Sequence, residues 1–159
     1  MAAIEKYVTD SLTEKVQIIM PAHLNGAGRL FGGQLALWID EVAGIVAIRH
    51  SGKQIVTACI DNLRFRKPVM QGEIVVMVGR VTYVGSSSME VRVDSYVESP
   101  KGERNLINTA FLVEVAIDSK GMPAKVPRLM CRTQEEIEEF EAGLRRKKYR
   151  DEMSGELYR

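Results

Sequence analysis

The chain has 159 residues, 45% of them hydrophobic and 27% charged, with a formal net charge of +1. That length defaults to one globular domain with a core of its own, and a charge so close to balance supplies no global attraction to nucleic acid or to an anionic membrane. The two cysteines, Cys59 and Cys131, form no CxxC motif and no disulfide framework, which suits a reducing cytoplasm.

The first ten residues are polar and lack the apolar run of a secretory leader, so a cytoplasmic location is expected. Residues 15–20 predict a first strand, stopped by Pro21. A glycine-rich loop, 25–33, then opens onto a nearly continuous apolar stretch, 34–48. A helix apolar almost all round is a buried helix, and this one is too short and too interrupted to span a bilayer. Gly32 or Gly33 is the expected N-cap, with Arg49 and His50 in the last turn and Gly52 just past it. Leu35, Trp38, Ile39, Val42, Ile45 and Val46 form a bulky stripe suited to packing on a sheet. Gly33, Ala36, Asp40, Ala43, Gly44 and Ala47 form a second stripe of small residues, along which a backbone or a narrow ligand can approach. Asp40 is the only functional group on that face, and Glu41 falls off it. A carboxylate in such a helix is costly unless something satisfies it.

Strands are predicted at 54–65, 73–84, 88–98 and 105–118, with turns at 67–72, 85–87 and 100–102. In 88–98, Met89, Val91 and Val93 alternate with Glu90, Arg92 and Asp94. The last strand offers Ile107, Phe111, Val113, Val115 and Ile117 as its apolar set. Serial strands with short turns make an antiparallel sheet, so the fold class is α+β, with one buried helix against the sheet. In the tail, Thr133 and Glu136 form a capping box, and Ile137, Phe140 and Leu144 follow at helical spacing. The basic run Arg145, Arg146, Lys147, Lys148 reads as a solvated helix end balanced by the acids in front of it. The chain thus divides into a domain at 1–130 and a helical extension at 131–159. Cutting before Thr133 is expected to leave a folded, active core.

Several chemistries are excluded. Gly26, Gly28 and Gly32 have the wrong spacing for a dinucleotide fingerprint, and no second βαβ unit follows. His23 and His50 lack metal-ligand spacing, so no metal is expected, and there is no GxSxG elbow. What remains is base chemistry at Asp40, behind a loop that carries Asn25. Backbone N–H groups near Gly32 and Gly33, at the helix N-terminus, can polarise a carbonyl.

The run from Met20 to Gly33, then Trp38-Ile39-Asp40-Glu41-Val42-Ala43-Gly44, resembles the cytosolic acyl-CoA thioesterases of the hot-dog fold. The similarity continues through Val56-Thr57, Leu63 to Val69, Gly72-Glu73 and Val84 to Met89, in order, over about four-fifths of the chain. The resemblance implies an antiparallel sheet wrapped around the central helix. It also implies a homodimer, commonly assembled as a trimer of dimers, acting on acyl-CoA. Asp40 would be general base or nucleophile, and Asn25 of the other subunit would position the water or the thioester. Coenzyme A, part of substrate and product, carries phosphates. Arg64, Arg66, Lys67 and the turn Ser86, Ser87, Ser88 are candidate contacts for them, and Thr57 is grouped with these coenzyme A contacts. No other cofactor, no nucleic acid and no membrane is expected. A non-catalytic acyl-CoA sensor on the same fold is the rival reading, disfavoured because Asn25 and Asp40 are both present. A hot-dog dehydratase is disfavoured because neither histidine sits in a matching motif.

Overall fold

The computed structural model describes residues 4–61 and 63–157. Residues 1–3, 62 and 158–159, which the predicted domains and the 54–65 strand include, lie outside the described residues. Five strands form one antiparallel sheet: β2 (Thr13–Ile18), β3 (Gln54–Asp61), β4 (Ile74–Val84), β5 (Ser88–Glu98) and β6 (Arg104–Ile117). Their spatial order is β2-β4-β5-β6-β3, which leaves β2 and β3 as edges. A separate parallel pair joins β1 (Glu5–Tyr7) to β7 (Arg128–Met130).

The central helix α1 (Gly32–Ser51) lies on one face of the sheet. Its N-cap is Phe31, not Gly32 or Gly33, and that residue has an extended backbone with no side-chain cap. Gly52 ends the helix as expected, at φ 66°, where its N–H closes on Ile48 O at 2.7 Å. Leu35, Trp38, Ile39, Val42 and Val46 are buried. Each such side chain contributes about 1.5–3 kcal/mol by leaving water. Ala43 and Ala47 of the small-residue stripe also face the sheet, fully buried. Ile45, expected in the bulky stripe, is instead exposed with Leu37, Glu41 and Ile48 along a third face.

Strand 88–98 is as predicted, with Met89, Val91 and Val93 in the core. In β6 only part of the expected apolar set is inward: Ile107 joins the core and Phe111 is buried beneath Arg146. Ala110, Leu112 and Ala116 face α1, while Val113, Val115 and Ile117 are only half-buried. The strand is covered on both sides, so its bulkier face is not its core face. The close approach of α1 selects the smaller one.

The outer face of the sheet carries α2 (Gln134–Leu157). Its capping box forms: Glu136 N donates to Thr133 Oγ1 at 3.1 Å, and Glu136 Oε2 accepts from Thr133 N at 3.3 Å. Gly143 lies where a Cβ would stand 2.6 Å from Tyr83 Cβ, so the helix rests directly on β4. Phe140 packs on Tyr83 with ring centroids 5.0 Å apart. The basic run is not simply a solvated end. Arg146 forks onto the buried Glu90 of β5, with Nη2–Oε1 at 2.7 Å and Nε–Oε2 at 3.1 Å, and Arg150 Nη1 reaches Glu90 Oε2 at 3.0 Å. Asp94, also buried, takes Arg80 at 3.1 Å and Thr109 at 2.7 Å.

These contacts change the outcome expected of truncation. Cutting before Thr133 removes both guanidinium partners of Glu90. With α2 gone Glu90 returns to water, but Tyr83 and Phe111 lose the Phe140 ring and the Arg146 guanidinium that cover them; at about 1.5–3 kcal/mol for each large side chain uncovered, the truncated protein should melt about 10 °C lower than the full chain. Thermal unfolding of the two forms checks this, and an unchanged midpoint would return α2 to the role of a detachable tail.

Candidate active site

Asp40 sits in the middle of α1, half-buried, on the small-residue face. Across from it, Thr57 of β3 and Glu114 of β6 are directly paired in register. A β-bulge follows Thr57, between it and Cys59, a local re-aiming device at a strand edge. Thr57 Oγ1 lies 2.9 Å from Asp40 Oδ1 and 3.1 Å from Glu114 Oε2. One hydroxyl therefore bridges two carboxyl groups. Glu114 is fully buried, and the only hydrogen-bond partner of its carboxyl among the described residues is Thr57. Burial, with the nearby charge of Asp40 as a lesser contribution, pushes its carboxyl up to about 7, against an opposing effect from the Thr57 hydrogen bond.

A second feature lies at the helix N-terminus. Gln34 and Leu35 N–H both close on Phe31 O, so Gly32 and Gly33 N–H have no backbone acceptor among the described residues. A cleft of about 370 Å³ opens there, lined by Asn25, Arg29, Gly32, Phe65, Arg66 and Lys67 among others. Asn25 Oδ1 accepts from Ala27 N at 2.9 Å and Arg29 N at 3.2 Å. Its carbonyl thus holds the loop, and its amide NH2 is the group left to act as donor. The glycines permit close packing here: a Cβ on Gly33 would meet the Phe31 ring at 2.6 Å, and one on Gly32 the Phe65 ring at 3.2 Å.

The candidate residues therefore separate into two places. Asn25, Gly32, Arg66 and Lys67 share the cleft, and Gly33 follows in the first turn of α1 without lining it. Asp40 is eight residues beyond Gly32, about 12 Å along the helix axis. Thr57, grouped by sequence with the coenzyme A contacts, is bonded to Asp40. Arg64 and Ser86, Ser87, Ser88 do not line the cleft. Arg64 O accepts from Asn108 Nδ2 at 2.7 Å, and the serine turn is tied by its carbonyls to Ala116 and Val126. Sequence reasoning missed Arg29 and Glu114. Arg29 stood inside the glycine loop as its one cation. Glu114 was flagged only by being a carboxylate between valines in a long apolar strand.

The comparisons with known proteins follow this geometry. The thioesterase superfamily model matches residues 27–103. An uncharacterized acyl-CoA thioester hydrolase of Bacillus subtilis, YkhA, is 42% identical over 133 residues, covering 83% of this chain and 77% of its own. An acyl-CoA hydrolase structure from Staphylococcus aureus, in complex with butyryl coenzyme A and coenzyme A, superposes with TM-score 0.89 at 32% identity and covers 97% of this chain and 96% of its own. A hexameric acyl-CoA thioesterase gives 0.90 at 34% identity over 95% and 97%. The solved Staphylococcus aureus structures also include alanine variants at an asparagine, an aspartate and a threonine. Against the rat, mouse and human cytosolic acyl coenzyme A thioester hydrolases, at 33% identity, the chain spans little more than a third of their length. The chain is an enzyme of the acyl-CoA thioester hydrolase family, and its sheet around a central helix is the hot-dog fold of that family. Among the described residues no helix is long and apolar enough to cross a membrane.

The Glu114 carboxyl ties stability to pH. The native state holds that proton up to about pH 7, whereas an ordinary glutamate releases it near 4.5. Stability from this group is therefore complete below pH 4.5 and lost as pH rises through 7. Urea midpoints should fall across that window in the wild type, and the part due to Glu114 should vanish in Glu114→Gln.

Proposed function

We propose that this protein hydrolyses acyl-CoA to a free carboxylic acid and coenzyme A, at a site shared between two copies of the chain. The observation that carries the reading is the Asp40 carboxylate on the small-residue face of α1, held by Thr57 at 2.9 Å in an otherwise apolar helix. The similar Staphylococcus aureus hydrolase binds butyryl coenzyme A. Its three alanine variants lie fifteen and seventeen positions apart, the spacing of Asn25, Asp40 and Thr57 here.

Asp40 takes a proton from water as the oxygen adds to the thioester carbon. Negative charge develops on the carbonyl oxygen and is met by N–H donors at a helix N-terminus, Gly32 and Gly33, and by the Asn25 amide. The C–S bond then breaks, and the coenzyme A sulfur leaves with the proton held by Asp40. This chemistry calls for no metal or redox cofactor. Within one chain, about 12 Å separates Gly32 from Asp40, too far for both to touch one carbonyl. The donors thus come from a second copy. Arg29, Arg66 and Lys67 give the cleft the positive charge that coenzyme A phosphates require.

Two surfaces support self-association. Edge strand β3 exposes Val56 and Ile60, and α1 exposes Leu37, Ile45 and Ile48. An open apolar edge is a template for pairing with another chain. We take the dimer to form through it, with three dimers in a hexamer like that of the similar thioesterase. A cytoplasmic location follows the cytosolic mammalian relatives.

Asp40→Asn should lower kcat by about 10²–10⁴-fold while the protein stays folded. Thiol release from acyl-CoA measures this, and near-normal turnover in a folded variant would refute the assignment.

The shared site is tested by mixing. In a dimer of one Asn25→Ala copy and one Asp40→Ala copy, one site keeps both residues and the other keeps neither. Random coexpression makes half the dimers mixed, so about a quarter of wild-type activity should return where sites act independently. If both residues serve from one chain, verified mixed dimers will stay at the level of the parents.

A further inference from the structure

Glu114 has no part in the mechanism above, yet it is the most buried carboxyl near it. The hydrogen-bond count around Thr57 decides its state. A threonine hydroxyl has one proton and can also accept. It stands 2.9 Å from Asp40 Oδ1 and 3.1 Å from Glu114 Oε2, both within bonding distance. If both carboxyls were ionised, one of these contacts would set oxygen against oxygen with no proton between. Two bonds form only if one carboxyl brings its own proton. Asp40 is half-buried at the mouth of the small-residue face, whereas Glu114 is fully buried with no other donor among the described residues. An ionised carboxylate is penalised most where water is absent.

We infer that Glu114, in its acid form, donates to Thr57 Oγ1 and so commits the only hydroxyl proton of Thr57 to Asp40, making Glu114 a positioning residue for the catalytic base. This rests on the reading of Asp40 as base. The hydrogen bond occupies Asp40 Oδ1 and fixes the carboxylate plane, which leaves Oδ2 to take the proton from water. The groups facing Glu114 are few among the described residues. They are Asp40 from α1, Thr57 opposite it on β3, and Met89, which brings no charge, beside it on β5. Ionised Glu114 would have a single donor within reach and would take the Thr57 proton back. Asp40 would then lose its anchor. The upward displacement of the Glu114 carboxyl to about 7 places this exchange near neutral pH.

The test uses the full-length protein, with kcat from thiol release across pH 5–9 in the wild type, Glu114→Gln, Thr57→Val and Thr57→Ser. An infrared titration of the protonated-carboxyl C=O stretch runs alongside. Wild-type kcat should fall on an alkaline limb centred near pH 7, while a C=O band that is absent in Glu114→Gln disappears over the same range. The glutamine amide donates to Thr57 at every pH, so this variant should lack the limb and lose less than about tenfold at pH 6. Thr57→Val should also lack the limb, with kcat lowered about tenfold or more at all pH values, and Thr57→Ser should restore both. A limb with the same midpoint in folded Glu114→Gln overturns the inference, as does a wild-type C=O difference band that does not depend on Glu114. Absence of thiol release from every acyl-CoA by the wild type sinks the thioesterase reading instead, and the infrared band then reports on the Glu114 proton alone.

Discussion

The depth at which α1 sits in the sheet is set where Gly79 of β4 meets Val42 and Val46. A Cβ at that position would stand 2.7 Å from Val42 Cγ1 and 2.9 Å from Val46 Cγ2, distances that real atoms do not hold. The missing methyl lets the helix settle, and Ala43 and Ala47 then meet the sheet with no exposure. Asp40 is carried down with them. A hydrogen bond of 2.9 Å between Thr57 and Asp40 would not survive lifting the helix by about 1 Å. The small residues on α1, on β4 at Gly79 and on β6 at Ala110 and Ala116 therefore serve one end. They bring a backbone close enough for a helix carboxyl and two strand side chains to bond.

The opposite face of the sheet is held by another kind of contact. Glu90 and Asp94 alternate with the core residues of β5, and both are buried under α2 and the arginines around it. Burying them is costly, and the cost is offset only while Arg146, Arg150, Arg80 and Arg92 remain in place. Arg146 also stacks on Phe111 of β6, 3.8 Å from the ring centroid, so α2 reaches the strand that carries Glu114. The sheet thus lies between an apolar helix and a charged one. Stability of the site strand depends on both.

Much of this was legible in the sequence, and the misses share a cause. The C-terminal end of α1 at Gly52, strand 88–98 and the Thr133 capping box follow from local patterns, and they fall where those patterns put them. β1 and β7 were missed because strands of three residues have no period to read, and their pairing joins segments more than a hundred residues apart. The face of β6 was misread because alternation shows two faces without saying which is inside. The bulkier set faced out, and Glu114 was on the other set. Thr57 could be assigned to coenzyme A as readily as to Asp40 from sequence, since only the register of β3 on β6 places it opposite Glu114. Sequence set Asn25 and Asp40 on different subunits only through the family resemblance; within one chain about 12 Å of helix separates Asp40 from Gly32, which lines the cleft with Asn25.

That separation gives assembly a chemical role on the proposed reading. In one chain, Asp40 is half-buried and Thr57 exposed, beside an apolar edge strand and an apolar helix face. Water reaches such a base freely and weakens every charge interaction it makes. A second copy laid along β3 would cover the edge, bring Gly32, Gly33 and Asn25 to the thioester, and exclude that water in one event. The same surface that stabilises the oligomer thereby raises the electrostatic contribution of the donors at the reacting carbonyl. Association and catalysis would then draw on one interface, and a substitution at Val56 or Ile60 would act on turnover without touching substrate.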